Sequence, residues 1–241
     1  MMPSRMIHYL VAEQVADQVP IRDRNRFKIG SLCPDMSTRQ DGSKHLTHYS
    51  DIVGNVKGMN WNRFVHTYGE KMKKDDLYLG ILCHLITDGV WFHEVMEPQV
   101  RSKYASKEER QEKYQYGYSD YHRLNYILRE EFGLQYVLTE DRDIELDGLH
   151  PELYDDVIGG LYADFYEEPM AQKEELAVYP YELAIACIRL CVTECVAAIM
   201  AFYKGEEIES SVRYYVPVRD TERKKSTEWK RVDTEWCHLG T

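Results

Sequence analysis

Asp75-Asp76-Leu77-Tyr78-Leu79-Gly80-Ile81-Leu82-Cys83-His84-Leu85-Ile86-Thr87-Asp88 opens a helix expected over residues 75–97. Asp75 and Asp76 supply the cap and place negative charge at the positive end of the helix dipole. At about 100° per residue, Leu77, Ile81, His84, Leu85 and Asp88 fall within roughly a third of the circle. An imidazole and a carboxylate therefore share the apolar face. A buried carboxylate costs several kcal/mol unless a cation or strong donors meet it. The i, i+4 spacing lets His84 and Asp88 reach one metal ion; it equally suits a histidine–aspartate hydrogen bond tying two helices together.

Upstream, Pro3 and Ser4 open a first helix whose apolar side carries Ile7, Leu10, Val11 and Val15, with His8 beside them. A lone core histidine is usually structural, but here two helices each turn a metal-capable group inward. Residues 30–58 are polar, with Pro34, Gly42 and Gly54, and read as a long loop of the kind that carries function. The loop adds Cys33-Pro34-Asp35 and Lys44-His45-Leu46-Thr47-His48-Tyr49. Asp35 could simply begin a turn after proline. His45 and His48 could share one helical turn, with one of them expected to serve. Together, four segments supply imidazole and carboxylate, the donor set of zinc or a similar divalent ion. His93 lies five residues past Asp88, about 140° around a straight helix, so it suits a second ion across Asp88 or a surface position at a helix end.

The 241 residues suit one domain with a short appendage. Hydrophobic residues at 44% and charged residues at 29% provide a sizeable core. A formal net charge of −11 argues against a duplex nucleic-acid binder and gives no attraction to anionic membranes. Further helices are expected over residues 61–72, 120–132, 151–166 and 180–203. The last carries Glu182, Arg189 and Glu194 and reads as a core helix rather than a membrane span. Residues 1–205 are expected to form an all-α domain and 206–241 a charged C-terminal extension, with a strand over 212–218 and Arg223-Lys224-Lys225 in a peripheral tail. The amino terminus lacks the pattern of a secretory signal, and six cysteines without one point to buried thiols and a cytoplasmic protein. Cys187, Cys191 and Cys195, four residues apart amid apolar neighbours, read as small buried residues.

Ile7-His8, Pro34-Asp35, Thr47-His48-Tyr49, the Gly80-x-x-x-His84-x-x-x-Asp88 helix and His93, in that order, resemble the zinc-dependent phospholipase C family. The resemblance covers roughly the first 130 residues. It implies an all-α fold around two or three zinc ions. Asp35, His48, His84 and Asp88 would hold one, His93 would help hold a second, and His8 with Asp88 would belong to a third. The chain departs from the secreted members by lacking a processed N-terminal tryptophan and by a gap from Asp88 to His93 one residue shorter. The family's closing His-x-x-x-Glu pair has no clean counterpart here. The nearest region, Tyr118-Ser119-Asp120-Tyr121-His122, offers Asp120 first and His122 second.

The function that follows is metal-dependent hydrolysis of a small-molecule or lipid phosphoester, with metal-activated water and Asp35 as a catalytic proton acceptor. No stable membrane anchor is expected. The adjacent His-Asp dyad of HD-type phosphohydrolases does not occur. The alternative from another class is a binding or structural protein that keeps the fold and part of the metal site without turnover.

Overall fold

The structure is a computed structural model that describes residues 2–166 and 176–219. Among these are eight α-helices and one small sheet: α1 Arg5–Ala16, α2 Arg24–Gly30, α3 Ser43–Thr47, α4 Trp61–Met72, α5 Asp76–Trp91, α6 Lys107–Glu131, α7 Gly160–Tyr166 and α8 Tyr181–Lys204. The fold is all-α in class. Its strands β1 Ser50–Val53, β2 Val56–Met59 and β3 Val216–Pro217 form an antiparallel sheet in the order β1-β2-β3.

α5 is the axis of the molecule, and all 16 of its residues are buried. It starts where the Asp75 side chain accepts the Leu77 N–H at 2.9 Å, while Arg26 braces the same carboxylate through two nitrogens. Such a cap satisfies backbone donors that the first turn leaves free. α2, α4, α1 and α8 wrap around α5. A helix apolar on all sides needs such a coat. α1 begins at Ser4, whose hydroxyl oxygen accepts the Ile7 N–H at 3.3 Å and donates to Asn125 Oδ1 at 2.6 Å, tying α1 to α6.

α8 is long and apolar enough to cross a membrane by length and composition, but half of its most apolar window is buried inside the fold. It packs on α5 and α1. The Cys191 and Cys195 thiols point at the Thr87 and Cys83 carbonyls of α5, 3.9 Å and 3.7 Å away. The five described cysteines are free and buried, so the spaced thiols act as small packing groups.

Residues 30–58 are more regular than their composition suggests. They hold a 3-10 turn at Cys33–Asp35, the five-residue α3 and the β1–β2 hairpin. These elements are too short to show a periodicity of their own. Gly54, with φ +59°, supplies the left-handed residue at the first position of the two-residue hairpin turn. α6 begins well before residue 120 because Ser106 and Glu109 form a capping box, although the turns that follow are mostly polar. Over residues 151–166 a 3-10 turn and a π-helical turn precede α7.

Past α8, Ile208, Tyr214, Tyr215 and Val216 are buried against the body. Within the expected strand over 212–218, the first part is a 3-10 turn at Ser211–Tyr214, and Val216–Pro217 pairs with β2. Arg223, Lys224 and Lys225 of the expected tail lie outside the described residues.

Candidate metal centre

Five side chains from four segments converge on the middle of α5. His84 and Asp88 come from α5 itself, His8 from α1, Asp35 from the 3-10 turn and His48 from the end of α3. Ligand atoms of His8, His84 and Asp88 lie within 4.8 Å of one another, as do those of Asp35, His48 and His84. His84 belongs to both sets. Asp88 Oδ1 is 3.3 Å from His8 Nε2, and its Oδ2 is 3.5 Å from the Nε2 atoms of both His48 and His84. Asp35 Oδ1 stands 3.3 Å from His48 Nε2. His8 and His84 stack with centroids 4.0 Å apart and planes 9° off parallel.

Local structure sets the tautomers. His84 Nδ1 is 2.8 Å from the Ser31 carbonyl oxygen at the end of α2. A carbonyl only accepts, so the proton sits on Nδ1 and the Nε2 lone pair faces the cluster. His48 Nδ1 is 2.9 Å from Thr47 Oγ1, whose own proton goes to Ser37 Oγ at 2.9 Å. Thr47 therefore accepts from His48, and this imidazole too turns its Nε2 lone pair inward. Outer partners that fix ring orientation in this way are a usual part of a metal-binding histidine.

The electrostatics match that assignment. Burial lowers the His48 pKa to about 4, with the Lys44 ammonium adding to it. Burial and the neighbouring His84 lower that of His8. At His84 the effect of burial is outweighed by the Asp88 and Asp35 carboxylates and the Ser31 carbonyl, so its proton is held more tightly than usual. Burial of Asp88 is likewise outweighed by His84 and His8, and burial of Asp35 by Lys44, His48 and His84; both carboxylates stay ionised. At neutral pH the cluster therefore offers two anions and the neutral imidazoles of His8 and His48, while His84 gives up a tightly held proton when a dication binds.

The decisive test of fit is what these atoms lack. Both oxygens of Asp88 and both ring nitrogens of His8 are buried without a hydrogen-bond partner, because the close approaches between them miss hydrogen-bond geometry. A carboxylate that is 0% exposed and accepts no hydrogen bond is costly to hold in a folded core, and a cation is the partner that offsets the cost best. A divalent ion among these nitrogens and oxygens removes that cost, so the residues fit the metal.

Residues 7–160 match the family model described as zinc dependent phospholipase C, more than half of the chain. The chain belongs to the zinc-dependent phospholipase C family. No curated protein and no solved structure gives a significant match. The family's all-α architecture agrees with the helical fold, and the His/Asp cluster of this zinc-dependent phospholipase C family member is able to hold metal.

The structure does not bring His93, Asp120 or His122 into this cluster. His93 is the second residue of the π-helical segment Phe92–Arg101, is partly exposed, and pairs with Glu94 Oε1 at 2.9 Å and the Tyr214 ring at 5.6 Å. Its turn of about 140° past Asp88 carries it away from the imidazoles. Asp120 is fully buried, as its place on the apolar side of α6 suggested, but its carboxylate accepts the backbone N–H groups of Ala177, Val178 and Tyr179 at 2.6–3.0 Å and pairs with Arg123. It anchors the approach to α8. His122 is exposed on the opposite side of α6.

Sequence reasoning also passed over Lys44, whose Nζ is 2.6 Å from Asp35 Oδ1, and Ser31. Lys44 stood in the quoted Lys44–Tyr49 stretch, one turn before His48. A backbone carbonyl such as that of Ser31 leaves no signal in residue identity.

Proposed function

We propose that this protein is a metal-dependent phosphoester hydrolase, with a phospholipid-type ester as the substrate class its family suggests. The observation that carries the reading is the Asp88 carboxylate, buried, unpartnered and ringed by the Nε2 atoms of three histidines. Asp35, His48, His84 and Asp88 would hold one ion, and His8 with Asp88 would contribute to a second beside it. A bound dication supplies Lewis-acid activation of water and neutralises charge that builds on the phosphoryl oxygens.

The chain's own residues supply the rest. Asp35 is the one member of the five whose side chain reaches solvent, 22% exposed against 3% or less for the others. It is therefore the member that meets a water entering from outside, and its ionised oxygen accepts that water's proton. His8, His84 and Asp88 form the closed inner wall and hold the geometry against solvent. Thr47 and Ser31 hold the Nδ1 atoms and so turn the Nε2 atoms inward.

Metal analysis of the purified protein, followed by phosphodiesters and phosphomonoesters assayed before chelation, after it and after zinc is restored, tests this reading. Bound zinc together with turnover lost to chelator and recovered with zinc supports it. One bound ion without turnover across the panel favours a metal-binding protein that does not catalyse. No bound ion overturns both.

A further inference from the structure

Lys44 sits beside Asp35 on the partly exposed side of the cluster, and an ammonium cannot itself be a metal ligand. α3 places Lys44 one turn before His48, with the His48 N–H bonded to the Lys44 carbonyl at 3.2 Å, so the two side chains leave the same face. Its ammonium spends one of three donors on Asp35 Oδ1 at 2.6 Å. Its side chain is 21% exposed and that of Asp35, in contact with it, 22%, so both stand on the solvent-reached side of the cluster. Asp35 and Asp88 together balance one dication, so with one ion or two the Lys44 charge is in excess.

The surroundings reinforce that excess. After burial itself, Arg39, Lys57 and Lys44 are the groups that depress the pKa of His45, the neighbour of Lys44, to about 4, so positive charge is felt along this loop in a protein of net charge −11. The acidic neighbour in the same loop, Asp41, is already engaged by His150 at 2.7 Å and by Thr38 and Ser43. A phosphodiester brings one negative charge to this side of the cluster. A phosphomonoester brings nearly two at neutral pH and three acceptor oxygens.

Resting on the phosphoesterase reading above, we infer that Lys44 is a substrate-positioning residue that grips a terminal, doubly charged phosphoryl group and biases the site toward phosphomonoesters. The same chemistry is presented by a soluble monoester and by a monoester lipid headgroup such as that of phosphatidic acid. Asp35 orients the ammonium, and Lys44 acts by holding the substrate.

The test compares zinc-loaded wild type with Lys44→Met and Lys44→Arg. The readouts are zinc content, affinity for inorganic phosphate by calorimetry, and kcat/KM for p-nitrophenyl phosphate against bis(p-nitrophenyl) phosphate. A charge-assisted hydrogen bond lost on Lys44→Met should weaken phosphate binding, and lower the monoester-to-diester ratio, by about tenfold or more, with zinc retained. Lys44→Arg should restore much of both. Phosphatidylcholine vesicles doped with phosphatidic acid, run beside the soluble monoester, show which source the site prefers. Unchanged phosphate affinity and ratio in Lys44→Met would overturn the inference while leaving the phosphoesterase reading intact. So would loss of zinc along with phosphate, since the ammonium would then serve the metal cage. Wild type that binds no zinc overturns the underlying reading instead.

Discussion

Gly30 of α2 and Gly80 of α5 bring the two backbones into contact. A Cβ at Gly80 would lie 2.9 Å from the Gly30 Cα and 2.0 Å from the Phe27 carbonyl oxygen, and one at Gly30 would meet the Leu77 carbonyl at 2.0 Å. Four residues beyond Gly80, this close approach lets the Ser31 carbonyl reach His84 Nδ1. The glycine of the Gly-x-x-x-His pattern thus acts through packing: it seats the helix whose end orients the ligand.

Gly80→Ala should therefore damage the centre without touching a ligand. Overpacking of this kind costs about 1–3 kcal/mol, and backbone atoms have little room to yield. The expected outcome is a lowered Tm together with reduced zinc content, measured by calorimetry and metal analysis. A variant with wild-type zinc content would show that the helix contact does not govern the site.

Asp88→Asn keeps the size of the side chain and removes the charge that three imidazoles surround. Zinc retention should fall sharply, and the stabilisation that zinc confers should fall with it. At 100 times Kd a ligand adds about 2.7 kcal/mol, which in a chain this size corresponds to roughly 5–10 °C in Tm. Wild type should show such a shift between chelated and zinc-saturated samples, and Asp88→Asn little of it. Equal shifts would count against the role of Asp88.

The metal-free protein should lose stability on the acid side. His45 and His48 are held near pKa 4 against an ordinary 6.5, and His8 is lowered as well, in each case chiefly by burial. Between about pH 6.5 and 4 the unfolded chain then binds more protons than the folded one, so stability falls as pH falls through that window. His84 is shifted the other way, and its contribution is lost as pH rises through its raised value. Thermal unfolding of chelated protein across this range should show Tm declining below pH 6.5; a flat profile would contradict the buried neutral imidazoles.

His93→Ala should leave the zinc held by the α5 cluster in place, whereas His84→Ala should release it. Parallel metal titrations decide the point. Asp120→Asn should leave zinc content near wild type and lower Tm, because three backbone N–H groups lose a charged acceptor.

Much of the fold was legible in the chain. The pattern of α4 and the apolar run of α8 announce helices whose ends agree with the structure to within a residue, and Ser4 and Asp75 mark the starts of α1 and α5. The helix expected to run to residue 97 leaves its α-helical course at Trp91, where the π-helical segment Phe92–Arg101 begins. Local chemistry suffices there, since caps and periodicity act within a few residues. His84 and Asp88 were legible as partners for the same reason, four residues apart on one helix.

Other features were settled only in three dimensions. α5 is buried on every side, so an apolar face could not by itself say which groups meet a cation. The docking of α1 and α3 onto α5 decided that His8, Asp35 and His48 gather there, and the packing of residues 177–179 claimed Asp120 as an anchor. Charge and periodicity are written locally and can be read from the chain. Coordination needs atoms far apart in sequence to come within a few ångströms, and that depends on how closely two glycines let their helices approach.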